Sequence, residues 1–430
     1  MKITVDASKK CGTIKPVHGV GQPPLPGVNF SMIHFLTEAG IPFSRLHDVT
    51  CGFNGLRHMV DIPEIFPDFD ADPADPASYD FAFTDLLIKE LVAANVEPFF
   101  RLGVSIENYC RVKRYFTFPP KDNLQWARIC EGIIRHYTEG WADGFCFTIR
   151  YWEIWNEPDG HYDPDQNQMW YGTMEQYFEL YRTASTYLKE KFPQLKIGGY
   201  ASCGFYALTC GGEDPHHQYL IRFFEQFLDF CQQNRCPLDF FSWHNYNSMR
   251  GIAVMADYAR QKLDEYGFTD TETSLNEWNM FFDKRGTAEH TAANAAVLLL
   301  MQDLPIDTAM FYDAGVGVSR YRGLFDSMTR EPLPLYDAFA MFNELYRRQT
   351  QVAVVSDDPD TYAVAAAKDG DILLMLANPT NDEKPLNVSF GDAKIVACRR
   401  IVEDRRAEDC AMPATLPPQS VLMITARGNT

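Results

Sequence analysis

From about residue 15 to 346 the chain repeats one unit, a short apolar segment followed by an amphipathic stretch of helical length. Such repetition builds a parallel sheet, because a strand that returns through a helix re-enters its sheet in the same direction. Eight strand segments fit the pattern: 14–20, 42–47, 96–102, 149–155, 195–200, 238–243, 273–276 and 308–312. Eight units close a sheet on itself, so the expected fold is α/β, a (β/α)8 TIM barrel. Helix starts are signalled by Asp122 ahead of 124–137, and by Thr173 with Gln176 ahead of 177–192. The proline- and aspartate-rich stretch 61–79 reads as a long loop after the second strand, placed to wall one side of a cleft.

Beyond about residue 350 the texture changes to short alternating runs separated by Gly, Pro, Asn and Asp, the pattern of a β-sandwich. The opening strand, 2–5, precedes the barrel and is expected to join that sandwich. The expected division is therefore a barrel over 15–346 and a small accessory β-sandwich domain from 1–14 plus 347–430.

In a barrel of this kind the reacting groups stand where strands end, on the C-terminal face. Two strand candidates end in glutamate: Tyr151-Trp152-Glu153-Ile154-Trp155-Asn156-Glu157-Pro158 and Ser274-Leu275-Asn276-Glu277-Trp278-Asn279. Any one of the 58 acidic residues is by default a surface ion pair. Indole rings and an asparagine beside a strand-end carboxyl point instead to an acid in a partly apolar cleft. Two such carboxyls facing one cleft suggest glycoside hydrolysis. Trp155, Pro158 and Trp278 are candidate apolar walls that raise a carboxyl's pKa, and the Asn156 amide suits a sugar 2-hydroxyl. His244 and Tyr246 close the sixth strand, with the tyrosine hydroxyl suited to hold the second carboxylate. His47, at the end of the second strand, is a candidate for sugar hydroxyls, and Arg45 is suited to orient a carboxylate. Glu153 is expected to pair with a cation inside the barrel.

A formal net charge of -19 without a basic stripe argues against nucleic acid and anionic lipid as partners. The longest apolar run, 295–301, is too short to span a bilayer. Eleven cysteines, an odd number without a C-x-x-C pair, read as reduced thiols. With no signal-peptide pattern at the start, the expected location is cytoplasmic. No H-E-x-x-H, Cys/His spacing, dinucleotide or P-loop fingerprint or Gly-x-Ser-x-Gly elbow occurs, so neither metal nor cofactor is expected.

Motifs along most of the barrel add a resemblance. They are Arg45-Leu46-His47; Pro119-Pro120-Lys121-Asp122 followed by Trp126; the run Glu153 to Pro158; Gly198-Gly199; Asp239-Phe240-Phe241-Ser242 with His244 and Tyr246; and Asn276-Glu277-Trp278-Asn279. In these the chain resembles glycoside hydrolase family 39, the retaining β-xylosidases and α-L-iduronidases of the large (β/α)8 clan. The resemblance implies Glu157 as acid/base, Glu277 as nucleophile and Tyr312 as the aromatic floor of the sugar site. It also implies a small sandwich built from the C-terminal region and the first strand. The departures bear on substrate more than on reaction: the family's β-xylosidases usually carry Thr-Glu-Tyr-Asn where this chain has Asn276 to Asn279. A tryptophan is common where Tyr312 stands, and a glycine where Asp48 follows His47.

The combined expectation is a retaining, exo-acting β-xylosidase that trims short oligosaccharides or glycosides, with Glu157 and Glu277 catalytic. His47, Asn156, His244, Tyr246, Trp278 and Tyr312 are expected to bind substrate. The alternatives are an α-L-arabinosidase-type or endo-acting enzyme of the same family and, in another class, a catalytically silent sugar-binding barrel. The sequence leaves the assembly state open, a homo-oligomer included.

Overall fold

A computed structural model describes residues 1–27, 31–49, 59–106, 117–317 and 319–428. The chain folds as two compact units, one of Met1–Val20, His34–Pro42 and Trp278–Thr430, the other of Gly21–Ile33 and Phe43–Glu277. Among the described residues no helix is long and apolar enough to cross a membrane.

Eight strands follow one another around a closed barrel: β2 (Gly19–Gly21), β3 (Phe43–Leu46), β4 (Glu97–Leu102), β5 (Tyr151–Ile154), β6 (Lys196–Ser202), β7 (Phe240–Asn245), β8 (Glu272–Trp278) and β9 (Thr308–Phe311). The first strand, β1 (Lys2–Thr13), lies outside it. All eight expected segments hold strands, five of them shorter than the segment read from the sequence.

In the larger unit the connecting helices are α2 (Ile62–Ile65), α3 (Ala82–Ala93), α4 (Asn123–Thr138), α5 (Met174–Lys191), α6 (Pro215–Asn234) and α7 (Met249–Glu265); α1 (His34–Ala39), α8 (Ala288–Leu300) and α9 (Pro334–Tyr346) belong to the other. Asp122 caps α4 by accepting from the backbone of Leu124 and Gln125, and Thr173 with Gln176 forms the reciprocal capping box of α5. Both starts were legible because capping needs a particular side chain at a fixed offset. The stretch after β3 is less loop-like than expected, since it carries α2 and a short 3-10 turn at Pro76–Ser78.

The second unit is built on a curled sheet. Its strands are β1 with β10 (Thr350–Ser356), β11 (Tyr362–Lys368), β12 (Asp371–Asn378), β14 (Asn387–Ser389), β15 (Lys394–Ile401), β16 (Glu408–Cys410) and β18 (Ser420–Arg427), in the order β14-β1-β10-β11-β12-β18-β15-β16. Two further strands, β13 (Lys384–Pro385) and β17 (Thr415–Leu416), pair separately. The N-terminal strand joins as expected, antiparallel to β10 and parallel to β14. Its alternation explains why: Ile3 and Val5 are buried with Val352, Leu374, Leu376, Leu422 and Ile424, while Lys2, Thr4 and Asp6 face out. Helix α8, nine of whose thirteen residues are Ala, Val or Leu, is buried along most of its length and packs on β12 and β18.

Candidate active site

The site grows from the end of β5. Two residues there, Trp155 (φ 75°) and Glu157 (φ 46°), hold left-handed backbone conformations that non-glycine residues avoid. Each costs on the order of 1 kcal/mol and persists only where its surroundings fix it. Here the fixing bonds are Trp155 N–H to the Leu102 carbonyl at 2.8 Å and Glu157 N–H to the Ala201 carbonyl at 3.0 Å. The conformation breaks strand alternation. The Trp155 ring goes to Trp126 of α4 and to Trp170, and its indole N–H donates to the Met169 carbonyl at 2.9 Å. Gly103 leaves room for it, since a Cβ at that position would stand 3.2 Å from the ring. Trp155 and Trp126 also line an apolar cavity of about 450 Å³ with Ile62, Phe66, Phe69 and Phe118, so part of the stretch after β3 does form a wall.

Asn156 and Glu157 are then free to join a polar network on the strand ends. Its centre is Arg45, fully buried at the end of β3. The guanidinium meets Glu153 Oε2 through Nε (2.8 Å) and Nη2 (2.7 Å), donates to Glu277 Oε1 from Nη1 (2.7 Å) and to Asn156 Oδ1 from Nη2 (2.6 Å). The other oxygen of Glu153 accepts from Ser242 Oγ and Asn276 Nδ2, both at 2.6 Å. Burial alone would lower the Arg45 pKa, but the Glu153 and Glu277 carboxylates outweigh it and hold the cation charged. Arg45 is the cation expected for Glu153. Because Asn156 Oδ1 is taken by Arg45, its amide nitrogen points the other way and, buried, has no partner among the described residues.

Above this floor stand the two strand-end glutamates. Tyr246 donates to Glu277 Oε2 at 2.5 Å, the contact suggested by its place after β7. His244 Nδ1 lies 2.7 Å from Glu157 Oε1 and 3.7 Å from Glu277 Oε2. One ligand-type atom from each of Glu157, His244 and Glu277 lies within 4.8 Å of the others. Desolvation by the surrounding protein pushes the Glu157 carboxyl up to about 7, against the lowering effects of the Cys203 thiol and Arg45 and with a small push from Asp48. Burial also raises Glu277, but His244 and Arg45 pull it back. Burial brings His244 down to about 4, so its imidazole is neutral near pH 7. The arrangement thus offers one carboxyl that holds a proton up to about pH 7 beside a second, also raised by burial, that Arg45 and Tyr246 grip directly.

The other expected residues fall elsewhere. His47 belongs to an adjoining network, where its Nδ1 accepts from Arg101 Nε at 3.2 Å and its Nε2 faces Asp48 at 3.4 Å. Arg101 in turn donates to Asp61 at 2.6 Å, and Asp61 accepts from the backbone and hydroxyl of Ser105. Trp278 and Tyr312 belong to the other unit. There Trp278 is fully buried, with its ring against Phe311 and Phe339 of α9, and Tyr312 lies edge-on to Tyr321 at 5.6 Å. Sequence reasoning missed Arg101, Asp61, Asp159 and Cys203. The run Asn156-Glu157-Pro158-Asp159 did carry a signal, a second carboxyl two positions beyond the first.

Glu157, His244 and Glu277 also have the spacing to hold a metal ion. A dication between them would sit close to the Arg45 guanidinium, itself 2.7 Å from Glu277, and would displace the Tyr246 bond. The donor set is better matched to a proton and a polar substrate than to a metal.

Comparison with known proteins places this geometry. The model of glycosyl hydrolases family 39 matches residues 45–385. A β-xylosidase of Caldicellulosiruptor saccharolyticus is 24% identical over 373 residues, covering 78% of this chain and 72% of that protein. One of Geobacillus stearothermophilus is 23% identical over 356 residues, covering 72% and 63%. Among solved structures, a glucosidase from Croceicoccus marinus aligns over 100% of this chain and 99% of its own, with a TM-score of 0.77 and 22% identity. A monomeric β-xylosidase from Caulobacter crescentus aligns over 99% of both chains, at 0.68 and 14%. The match of the family model over most of the chain, from Arg45 through both strand-end glutamates, shows that this protein belongs to glycosyl hydrolases family 39.

Proposed function

We propose that the protein is a retaining, exo-acting β-xylosidase acting on short oligosaccharides or glycosides, with Glu157 as acid/base and Glu277 as nucleophile. One observation carries the reading: the two carboxyls stand within 4.8 Å through their nearest atoms, with Glu157 pushed up to about 7 by desolvation and Glu277 gripped by Arg45 and Tyr246. Retaining glycosidases need carboxyls about 5–5.5 Å apart, close enough for direct attack on the anomeric carbon.

Glu157 gives its proton to the leaving oxygen while Glu277, held by Arg45 and Tyr246, attacks the anomeric carbon and forms a glycosyl ester. The ionised Glu157 then takes a proton from water, which attacks the anomeric carbon, breaks its bond to the Glu277 carboxylate and frees Glu277. The unpaired amide N–H2 of Asn156 is suited to the sugar 2-hydroxyl, whose hydrogen bonds tighten in the transition state. Arg45 is fully engaged by Glu153, Glu277 and Asn156, so it does not serve a substrate carboxylate, which disfavours a uronidase. Two β-xylosidases among the relatives support the xyloside, while an α-L-arabinosidase-type or endo-acting enzyme is the competing reading.

The test is the anomer released first from an aryl β-xyloside, followed by proton NMR, together with trapping by a 2-deoxy-2-fluoro xyloside. Retention and a label on the peptide carrying Glu277 are expected. An inverted first product, or a label elsewhere, overturns the assignment.

A further inference from the structure

Asp159, two residues beyond Glu157, is fully buried, yet nothing in the mechanism uses it. Its carboxylate clasps the end of β6. It accepts from Ser202 Oγ at 2.6 Å and from Cys203 N–H at 3.2 and 3.3 Å, and Ser202 Oγ accepts in turn from Gly204 N–H at 3.2 Å. One residue before this clasp, the Ala201 carbonyl takes the N–H of Glu157 at 3.0 Å. The end of β6 is therefore stitched to the segment after β5 from both sides of Pro158. The stitching brings the Cys203 thiol within hydrogen-bonding reach of the Glu157 and Asp159 carboxyls.

We propose that Asp159 and Cys203 are positioning residues for Glu157: Asp159 clasps the end of β6 so that the Cys203 thiol stands against the Glu157 carboxyl, and together they set the pH range in which Glu157 holds its proton. The inference rests on the acid/base reading of Glu157. The two act in opposite senses. A thiol can only donate to a carboxylate, so Cys203 favours the ionised form of Glu157, whereas a negative charge on Asp159 opposes it. Burial pushes Asp159 up to about 7, the same range as Glu157, and the two titrations are linked through space. Among the described residues, the other charged or titratable groups that act on Glu157 are Arg45 from β3 and Asp48 after it, Tyr206 after β6, His244 from β7 and Glu277 from β8. Of these, Tyr206 also feels Cys203, but burial keeps its phenol protonated throughout.

The experiment is the pH profile of kcat/KM on a substrate with a poor leaving group, such as an alkyl xyloside, for the full chain and four variants. Cys203→Ala should move the basic limb upward by about half a pH unit or more, and Cys203→Ser, which keeps a donor, should return it to or below that of the parent. Asp159→Asn keeps an acceptor for Ser202 but loses the charge, so its limb should move downward. Loss of packing alone would lower activity without shifting limbs in opposite directions. The fourth variant, Glu157→Gln, separates the inference from its premise: if it keeps the parental profile, the acid/base reading fails. If it is inactive on this substrate but the Cys203 limbs superimpose on that of the parent within about 0.2 unit, the positioning inference alone is overturned. Should Asp159→Asn fail to fold, the two Cys203 variants decide the matter by themselves.

Discussion

Glu153 and Glu157 lie four residues apart on one strand end, and the protein treats them in opposite ways. Glu153 has no exposure and accepts three hydrogen bonds, one of them from the Arg45 guanidinium, whose Nη2 stands at 2.7 Å as well. Glu157 keeps 19% of its side-chain exposure and meets one imidazole and one thiol, neither of them a cation near pH 7. Burial is greater for the first, while desolvation pushes the proton affinity of the second to about 7. The donors supplied to a carboxyl, more than its depth, decide whether it serves as a structural anion or as a proton carrier.

The largest effect that could break this contrast lies at Glu277, the third carboxyl of the group. Glu277→Gln keeps volume and the Arg45 contact but cannot form a glycosyl ester, so kcat/KM should fall by on the order of 10⁴-fold or more. Xylose or a short xylo-oligosaccharide should still bind by calorimetry. Near-parental turnover of an aryl xyloside would remove Glu277 from the mechanism.

Glu157→Ala comes next. Poor leaving groups should lose roughly 10²–10⁴-fold, good ones should keep a fast first step, and azide should restore turnover with a glycosyl azide of retained configuration. In the parent, Glu157 works protonated, so activity should be lost as pH rises through about 7. Glu277 works ionised and its carboxyl is raised, so the acid limb should lie above an ordinary glutamate value. An inverted azide product, or a basic limb that survives in Glu157→Ala, contradicts the proton-carrier role.

Stability should rank the two neighbours in reverse. Glu153→Leu leaves the buried Arg45 with Glu277 as its one charged partner and strands Ser242 and Asn276, a loss of about 3–5 kcal/mol read by denaturant unfolding. Glu157→Gln, which removes a carboxyl few donors support, should change stability by less than about 1 kcal/mol. Equal losses for the two would mean that depth, not donor supply, governs this strand end.

The smallest effect concerns the sugar rather than the carboxyls. If the mouth is built for a pentose, the hydroxymethyl group of a hexose must be excluded, and β-xyloside should exceed the matching glucoside and galactoside by about 100-fold in kcat/KM, about 2.7 kcal/mol. Comparable rates on hexosides would leave the carboxyl chemistry standing and remove the pentose assignment.

The barrel, the two strand-end glutamates and the Tyr246 contact were legible because each follows from a local rule, an apolar period or a residue at a strand end. The partner of Glu153 was legible only as a kind of group, since Arg45 lies 108 positions away and sequence spacing carries no three-dimensional register. Trp155 and Trp278 show a second limit. Strand alternation predicts facing only while the backbone stays extended, and the left-handed turn at Trp155 changes which residues share a face. The Trp278 ring stands in the hydrophobic packing of α9 although its neighbour Glu277 turns to Arg45. Asp61 was hidden for another reason: a proline- and aspartate-rich stretch reads as solvated, and nothing in its composition marks the one aspartate that is buried.

The pairing of Arg45 with Glu153 has a consequence for inhibitors. Arg45 is shared between Glu153 and Glu277, so with His244 uncharged and Glu157 protonated these groups together keep one net negative charge, on the side of Glu277. A neutral sugar gains little from it. An oxocarbenium-like ring, which gathers positive charge at the anomeric carbon as the bond breaks, gains a great deal. A protonated iminosugar carries that charge permanently. It should therefore be held far more tightly than the parent sugar, and its grip should slacken below the pH at which Glu277 takes up a proton.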